Sequence, residues 1–270
     1  MSASSSTRQT LLRRRRGRVN WVAPLLVLLI AIAIAYLVSY LVLEPSRQFL
    51  LPPPHQVIAV FFDPATLSDI AVGLSRTALV AALGLAAAII IGMAWAIAMS
   101  QARWVEDSLF PYAVILQCIP ILALVPLIGF WFGYDLPARI VVCVMISLFP
   151  IVSNTLFGLR STDPGQRDLF LLEKSSRWGR LWRLELPAAM PAVFAGLRIA
   201  AGLTIVGAIV GDFFFSRGTP GLGSLISTYQ SRLQSPQLFA AIIAASLFGV
   251  LVFFAFGWLG RRVVGHWYDF

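Results

Sequence analysis

Charge is scarce in this sequence. Of its 270 residues only 12% are charged, against about 25% in a soluble domain, whose surface must be wetted. With 59% apolar residues, the chain calls for lipid as its outer solvent. Cysteine and histidine are scarce as well, with two of each. Cys118 and Cys143 lie inside apolar runs and read as small buried hydrophobes, not as a disulfide or a metal pair. Lysine occurs once, at Lys174. Glu173 precedes it and no glycine-rich turn surrounds it, which excludes the Gly-Lys-Ser/Thr cradle of a nucleotide-binding loop. No serine–histidine or cysteine–histidine constellation is evident, so the chain is expected to be no enzyme and to hold no cofactor or metal.

What is present is a series of long apolar runs. A membrane helix needs about 20 mainly apolar residues, and six stretches qualify: 22–43, 77–99, 110–132, 140–159, 191–215 and 238–259. They lack the weak ten-residue alternation of a barrel. The expected fold is all-α, a polytopic membrane protein with six transmembrane helices. Loop charges orient it. Fifteen basic residues fall on one side, including Arg13 to Arg16, Arg103, six from Arg160 to Arg183, and Arg261 with Arg262; five, Arg47, Arg76, Arg139, Arg217 and Arg232, fall on the other. Both termini are therefore expected in the cytoplasm. The net charge of +9 marks topology, not nucleic-acid binding. His55 and His266 then lie on opposite sides and share no site. The first stretch is too long for the apolar region of a signal peptide, and Glu44-Pro45-Ser46-Arg47 follows it where small residues would mark cleavage.

The loops are more individual. Outside, Leu51-Pro52-Pro53-Pro54 reads as a stiff polyproline stretch, and 57–62 as a short helix lying at the interface. The longest cytoplasmic loop, 160–190, holds Asp163-Pro164-Gly165 as a turn. Asp168 caps or begins a short helix with Leu169 and Leu172 on one face. Ser175 or Ser176 caps a second, with Trp178, Leu181 and Trp182 on one stripe, which Pro187 and Pro191 end before the fifth span starts. Such a hairpin either lies among lipid headgroups or docks in a groove of a cytoplasmic partner.

At this loop the sequence resembles the permeases of binding-protein-dependent ABC importers of the smaller type. Their signature begins Glu-Ala-Ala, with a glycine six residues on and a Leu-Pro nineteen residues on. Leu186-Pro187 supplies its end. Asp168 then stands at the Glu position, Leu169-Phe170 at Ala-Ala and Lys174 at the glycine, so the first half is degenerate. Cys118-Ile119-Pro120, Phe149-Pro150, Gly158-Leu159-Arg160, Ala195-Gly196-Leu197-Arg198, Gly211-Asp212 and Pro220-Gly221-Leu222-Gly223 are also similar to the family. The pattern is nearest the branch carrying nitrate, taurine, alkanesulfonates or vitamin-precursor pyrimidines.

The resemblance implies a permease core over 66–260, after a basic tail (1–21) and a first span with its outer loop (22–65), and before a tail at 261–270. It implies a bacterial inner membrane and four kinds of neighbour: a pair of ATP-binding subunits, an extracytoplasmic solute-binding protein, a second permease copy and membrane lipid. It places coupling to the ATPases on Asp168, Leu169, Leu172, Lys174, Ser176, Arg177, Trp178, Gly179, Leu186 and Pro187. Gln117, Ser147, Asn154 and Asp212 are polar or charged within spans, and either face the translocated solute or bond to neighbouring helices. Asp212 pairs with Arg217 or lines the path. Arg198 is expected to snorkel to the cytoplasmic surface; if the solute is an anion, Arg76 or Arg139 at the outer ends would steer it, though as interface residues they need no such role. Small residues four apart, at Ala192, Gly196 and Ala200 and again at Gly207 and Gly211 in the fifth span, and at Gly84, Ala88, Gly92 and Ala96 in the second, let helices approach closely, within one subunit or between two. A secondary transporter, or an assembly factor that moves nothing, are the competing readings; the first lacks embedded carboxylates other than Asp212 and any internal repeat.

Overall fold

The structure, a computed structural model, describes residues 22–215 and 219–265. The basic tail, Arg217 and His266 lie outside the described residues. The chain divides into two compact units, Met1–Gln56 and Val57–Phe270.

In the first unit, α1 (Val22–Leu37) widens into a π-helical turn (Val38–Val42), where Leu43 N–H reaches the Val38 carbonyl. A 3-10 turn follows at Pro45–Leu50. Tyr36 stacks on both Tyr40 and His55, and its hydroxyl lies 3.3 Å from His55 Nδ1. Pro54 is the first residue of α2 (Pro54–Val60), so the proline stretch ends as a helix start.

The second unit is a helical bundle. Its long members are α3 (Pro64–Gln101), α6 (Leu136–Arg160), α9 (Leu186–Phe214) and α11 (Ser235–Val264), with the shorter α4 (Arg103–Cys118), α5 (Ile121–Phe132), α7 (Pro164–Leu172), α8 (Arg177–Arg180) and α10 (Leu222–Ser231) between them. Among the described residues of the whole chain, five helices are long and apolar enough to cross a membrane, and α4 with α5 make a sixth crossing if that bent pair is one span. The chain is thus a multi-pass membrane protein.

Three expected boundaries change. First, α3 starts at Pro64, well before Thr77. Asp63 caps it by accepting from Thr66 N–H at 3.1 Å and Thr66 Oγ1 at 2.6 Å. Those bonds, the side-chain one foremost, hold the Asp63 carboxyl below the usual carboxylate range. With 38 residues, at about 1.5 Å each, α3 is longer than a bilayer core is thick. Second, the stretch 110–132 is no single helix: α4 and α5 meet at 101°. Pro120 lacks the N–H that would close the turn on Leu116, and it holds Ile119 extended. Third, Pro187 and Pro191 do not end a loop helix. The apolar helix runs from Arg177 to Phe214 through a π-helical turn at Leu181–Glu185. There Leu186 N–H already bonds the Leu181 carbonyl, so the missing N–H of Pro187 falls where the regular ladder is relaxed.

At the centre of the bundle is α6. The small residues of α3 face it: a Cβ at Gly84 would collide with Cys143, and one at Gly92 would sit 2.8 Å from Ile151 Cγ2. Those of α9 face it from another side. A Cβ at Gly196 would lie 2.7 Å from the Pro150 carbonyl, at Gly207 3.0 Å from Cys143 Cα, and at Gly211 3.3 Å from Arg139 Cα. The stripes therefore pack within one subunit. Val57 of α2 is buried with Ile70, Leu222 and Tyr229.

Because the clash at Gly207 is with backbone, Gly207→Leu is expected to force α9 off α6 at about 1–3 kcal/mol. A lowered unfolding midpoint in detergent, followed by tryptophan fluorescence, checks this.

Candidate functional site

The predicted coupling residues gather around α7, α8 and the π-helical turn. α7 begins at Pro164, and its cap is Asp163, which accepts from Gln166 N–H at 3.2 Å. Asp168 therefore sits inside the helix, not at its cap, because Pro164 already starts it. Leu169, Leu171 and Leu172 are exposed, Leu172 to 79%, and α7 buries none of its residues. Ser176 caps α8, accepting from Gly179 N–H at 3.1 Å. Arg177 and Trp178 are exposed. The Trp178–Leu181–Trp182 stripe is split: Leu181 turns into the core beside Ala189 and Val193, while both tryptophans face out. Leu186 and Pro187 are half-buried at the start of α9.

Between α7 and α8, Lys174 has φ +52°, in the left-handed region. The closing bonds are Lys174 N–H to the Leu171 carbonyl and Ser175 N–H to the Phe170 carbonyl, each 3.0 Å. This is a Schellman end, in which glycine is favoured at the left-handed position. The glycine of the importer signature thus has a conformational reason here, and lysine occupies its place at a cost of about 1–2 kcal/mol.

Glu185, which sequence reasoning missed, braces this region. It is 5% exposed. Its Oε1 lies 3.0 Å from Arg180 Nε and 3.6 Å from Arg167 Nη2, and Arg167 Nη2 also donates to the Leu159 carbonyl at 2.8 Å. One carboxylate thereby joins α7, α8 and the end of α6. Nearby, Arg160 pairs with Glu106 of α4. The only available signal was a lone glutamate following Arg180 and Arg183, just before Leu-Pro.

At the opposite end of α9, Asp212 is 1% exposed. Its partner is Arg139 of α6, 2% exposed, with Nη1 2.7 Å from Oδ1. Arg139 is thus no outer steering charge. Thr77 of α3 donates to Asp212 Oδ2 at 2.9 Å, and Leu222 N–H donates to Thr77 Oγ1 at 2.8 Å. Arg139 also donates to the carbonyls of Thr219 and Phe215, each at 2.9 Å. A Cβ at Gly221 would collide with both Asp212 and Thr77, which explains a glycine beside Leu222. Arg76 is half-buried and donates to the Pro220 carbonyl at 3.1 Å.

The remaining candidates scatter. Asn154 donates to the Pro150 carbonyl at 2.8 Å, and Ser147 to the Cys143 carbonyl at 2.7 Å; both bonds stay within α6. Arg198, half-buried, lays its guanidinium 3.9 Å from the Phe253 ring centre of α11. Gln117 is exposed, and so is Cys118, against the expectation that both cysteines are buried. Among the described residues, no group of three or more potential metal ligands comes together.

Residues 64–265 match a family described as binding-protein-dependent transport system inner membrane component. The chain is 33% identical over 210 residues to the formylaminopyrimidine transport permease protein ThiX of Halalkalibacterium halodurans, covering 78% of this chain and 83% of that protein. It is 32% identical over 247 residues to a probable ABC transporter permease protein of Haemophilus influenzae, covering 92% and 98%. To the nitrate import permease protein NrtB of Synechocystis it is 29% identical over 260 residues, covering 92% and 94%. In fold it is similar to a chain from the crystal structure of an amino acid ABC transporter with histidines, at TM-score 0.58 and 17% identity, covering 78% of this chain and 97% of that one.

Two substitutions test the geometry. Asp212→Ala leaves a buried arginine without its carboxylate and is expected to destabilise the fold by about 3–5 kcal/mol; replacing Arg139 and Asp212 together by leucine should cost less than the sum of the single changes, as measured by unfolding midpoints in detergent. Lys174→Gly relieves the left-handed strain and is expected to slow amide exchange in α7 roughly fivefold, about 1 kcal/mol of local stability.

Proposed function

Because the chain belongs to the inner membrane components of binding-protein-dependent transport systems, as the permease subunit of an ABC-type importer for a small solute, we propose that the segment 164–182 is where a pair of ATP-binding subunits grips it. The observation that carries this reading is the exposed apolar face of α7, with Leu169 and Leu172, continued by Trp178 on α8. A short helix presenting apolar anchors among charged neighbours fits a groove. The Glu185 contacts to Arg167 and Arg180 brace it, so a push on α7 moves α6 and α9 instead of bending the loop.

In this reading the basic side of the chain, including both termini, is cytoplasmic. Residues 66–260 form the permease core, with the tails and the first span outside it. A second copy completes the passage, and an extracytoplasmic binding protein delivers the solute, an oxyanion such as nitrate or a sulfonate, or a vitamin-precursor pyrimidine; the relatives' names span the same range. Closure of the ATPases shifts the spans between outward and inward openings, which requires that the grip differ between the two states.

Changing Leu169 and Leu172 together to Asp removes the anchors while touching no buried contact. Co-purification of the ATP-binding subunits is expected to fall at least tenfold with the unfolding midpoint unchanged. Undiminished co-purification and coupled uptake would place the grip elsewhere.

A further inference from the structure

We infer that an anionic phospholipid is seated between α9 and α11, its phosphate on Arg198 and Arg261 and one acyl chain in the apolar groove beside them; only the leaflet, the cytoplasmic one, rests on the topology proposed above.

Arg198 lies within a membrane-crossing helix and lacks a counter-ion. Its Nε is buried without an acceptor, and among the described residues no carboxylate pairs with the guanidinium. The Phe253 face offsets part of the charge but accepts none of its remaining N–H groups. A charge left so in a span calls for a partner from outside the subunit.

More positive charge stands nearby on α11. Phe253, Gly257 and Arg261 follow one another four residues apart, on one stripe of that helix. Gly257 is where the Arg198 guanidinium lies against α11: a Cβ there would stand 3.4 Å from Arg198 Nε. Helical side chains lean toward the N-terminus of their own helix, as Arg262 does in lying over Trp258, 4.5 Å from the ring centre. Arg261, exposed one turn past Gly257, leans the same way, toward Arg198. Two guanidinium groups with no acid between them make a seat for a phosphate, which accepts bidentate, charge-assisted bonds.

An apolar groove continues from that seat. One turn beyond Arg198, Gly202 opens a groove of about 730 Å³ that passes Ile205 and Val206 on one wall and Gly249, Val250 and Phe253 on the other. On α11 it runs from Ile242 to Phe254, about 18 Å at the helical rise, against about 15 Å for half of a bilayer's hydrocarbon core. A Cβ at Gly202 or at Gly249 would meet nothing within 4 Å. The polar side chain of the groove, Ser246, turns its hydroxyl to the Ile242 carbonyl. A polar solute finds no partner there, and a hydrocarbon chain needs none.

A helix of a second copy matches the charge less well. Residues 1–43, which include the first span, contain no Asp or Glu and bring six arginines. Asp212, the carboxylate within α9, is tied to Arg139. An anionic phospholipid supplies both parts, phosphate and chain, in the order in which the surface presents them.

The complete transporter, with its ATP-binding subunits, is purified and titrated with dioleoylphosphatidylglycerol or dioleoylphosphatidylcholine, and bound lipid is counted by native mass spectrometry. Phosphatidylglycerol is expected to stay on each permease copy under detergent that strips phosphatidylcholine. Arg198→Gln is expected to weaken its retention roughly tenfold, through lost charge-assisted bonds. Gly249→Leu fills the groove without meeting a neighbour and is expected to weaken retention as well, which decides the matter where Arg198→Gln fails to assemble. Equal retention of the two lipids, or phosphatidylglycerol retention unchanged in Gly249→Leu, overturns the inference. Separation of the permease copies by Gly249→Leu with lipid still held overturns it too, and gives the groove to the second copy. Uptake coupled to ATP hydrolysis keeps the importer reading whatever the lipid result, and failure of the ATP-binding subunits to associate while the lipid stays bound does the reverse.

Discussion

A carboxylate in a membrane-crossing helix cannot borrow a partner from the solvent, so the fold must bring one to it. Asp212 and Arg139 solve this for each other, and their remaining valences reach Thr77 and the carbonyls of Phe215 and Thr219. The result is a knot of α3, α6 and α9 with the segment that leads into α10. Each helix contributes a group that would be costly alone. The packing below the knot depends on it, because α6 lies against α3 and α9 only while their ends are held at this spacing.

That spacing is close because the facing surfaces are small. In lipid, helices gain little from hiding apolar surface from one another, and dispersion contacts must take over. Gly84 and Gly207 both abut Cys143 from different helices, so one small side chain of α6 serves as the meeting point of three backbones. The stripes thus belong to the subunit's interior, which leaves the outer faces of α5 and α11 to whatever surrounds the subunit.

Much of this was legible in the sequence. The apolar runs are long enough that five of the expected crossings appear as helices, the sixth falling on the bent pair α4 and α5, and the small-residue stripes announce close packing. A serine cap at Ser175 or Ser176, and a short helix bearing Leu169 and Leu172, also followed from local chemistry. What failed has one physical origin: effects of proline and of charge that only tertiary context decides. Pro120 breaks a span, whereas Pro187 does not break the next, because a π-helical turn absorbs its missing donor. Arg139 reads as an interface residue until α9 brings Asp212 to it from far along the chain. Glu185 was missed for the same reason: Arg167 lies on α7, and Arg180 meets it only through the π-helical turn. Asp63, not the chain's change in hydropathy, sets where α3 begins.

The continuous helix from Arg177 to Phe214 gives these pieces a common mechanical sense. One end carries Glu185 and its arginines, beside the exposed leucines of α7; the other carries Asp212 and the knot. The π-helical turn, whose last residue is Glu185, and Pro191 lie between the two sites, and the Glu185 contacts tie that turn to α7 and α8. Displacement at the leucine end therefore reaches α9 through the Glu185 contacts as well as through the backbone. At the knot, α3 and α6 are tied to Asp212 by directional bonds, so they follow α9 as a body or the bonds break. Since breaking a buried ion pair costs more than sliding apolar faces, rigid-body motion of α3, α6 and α9 together is the cheaper response. The α4–α5 break then sits at the margin of the moving body, joined to it through the Glu106–Arg160 pair and the contacts of Leu116.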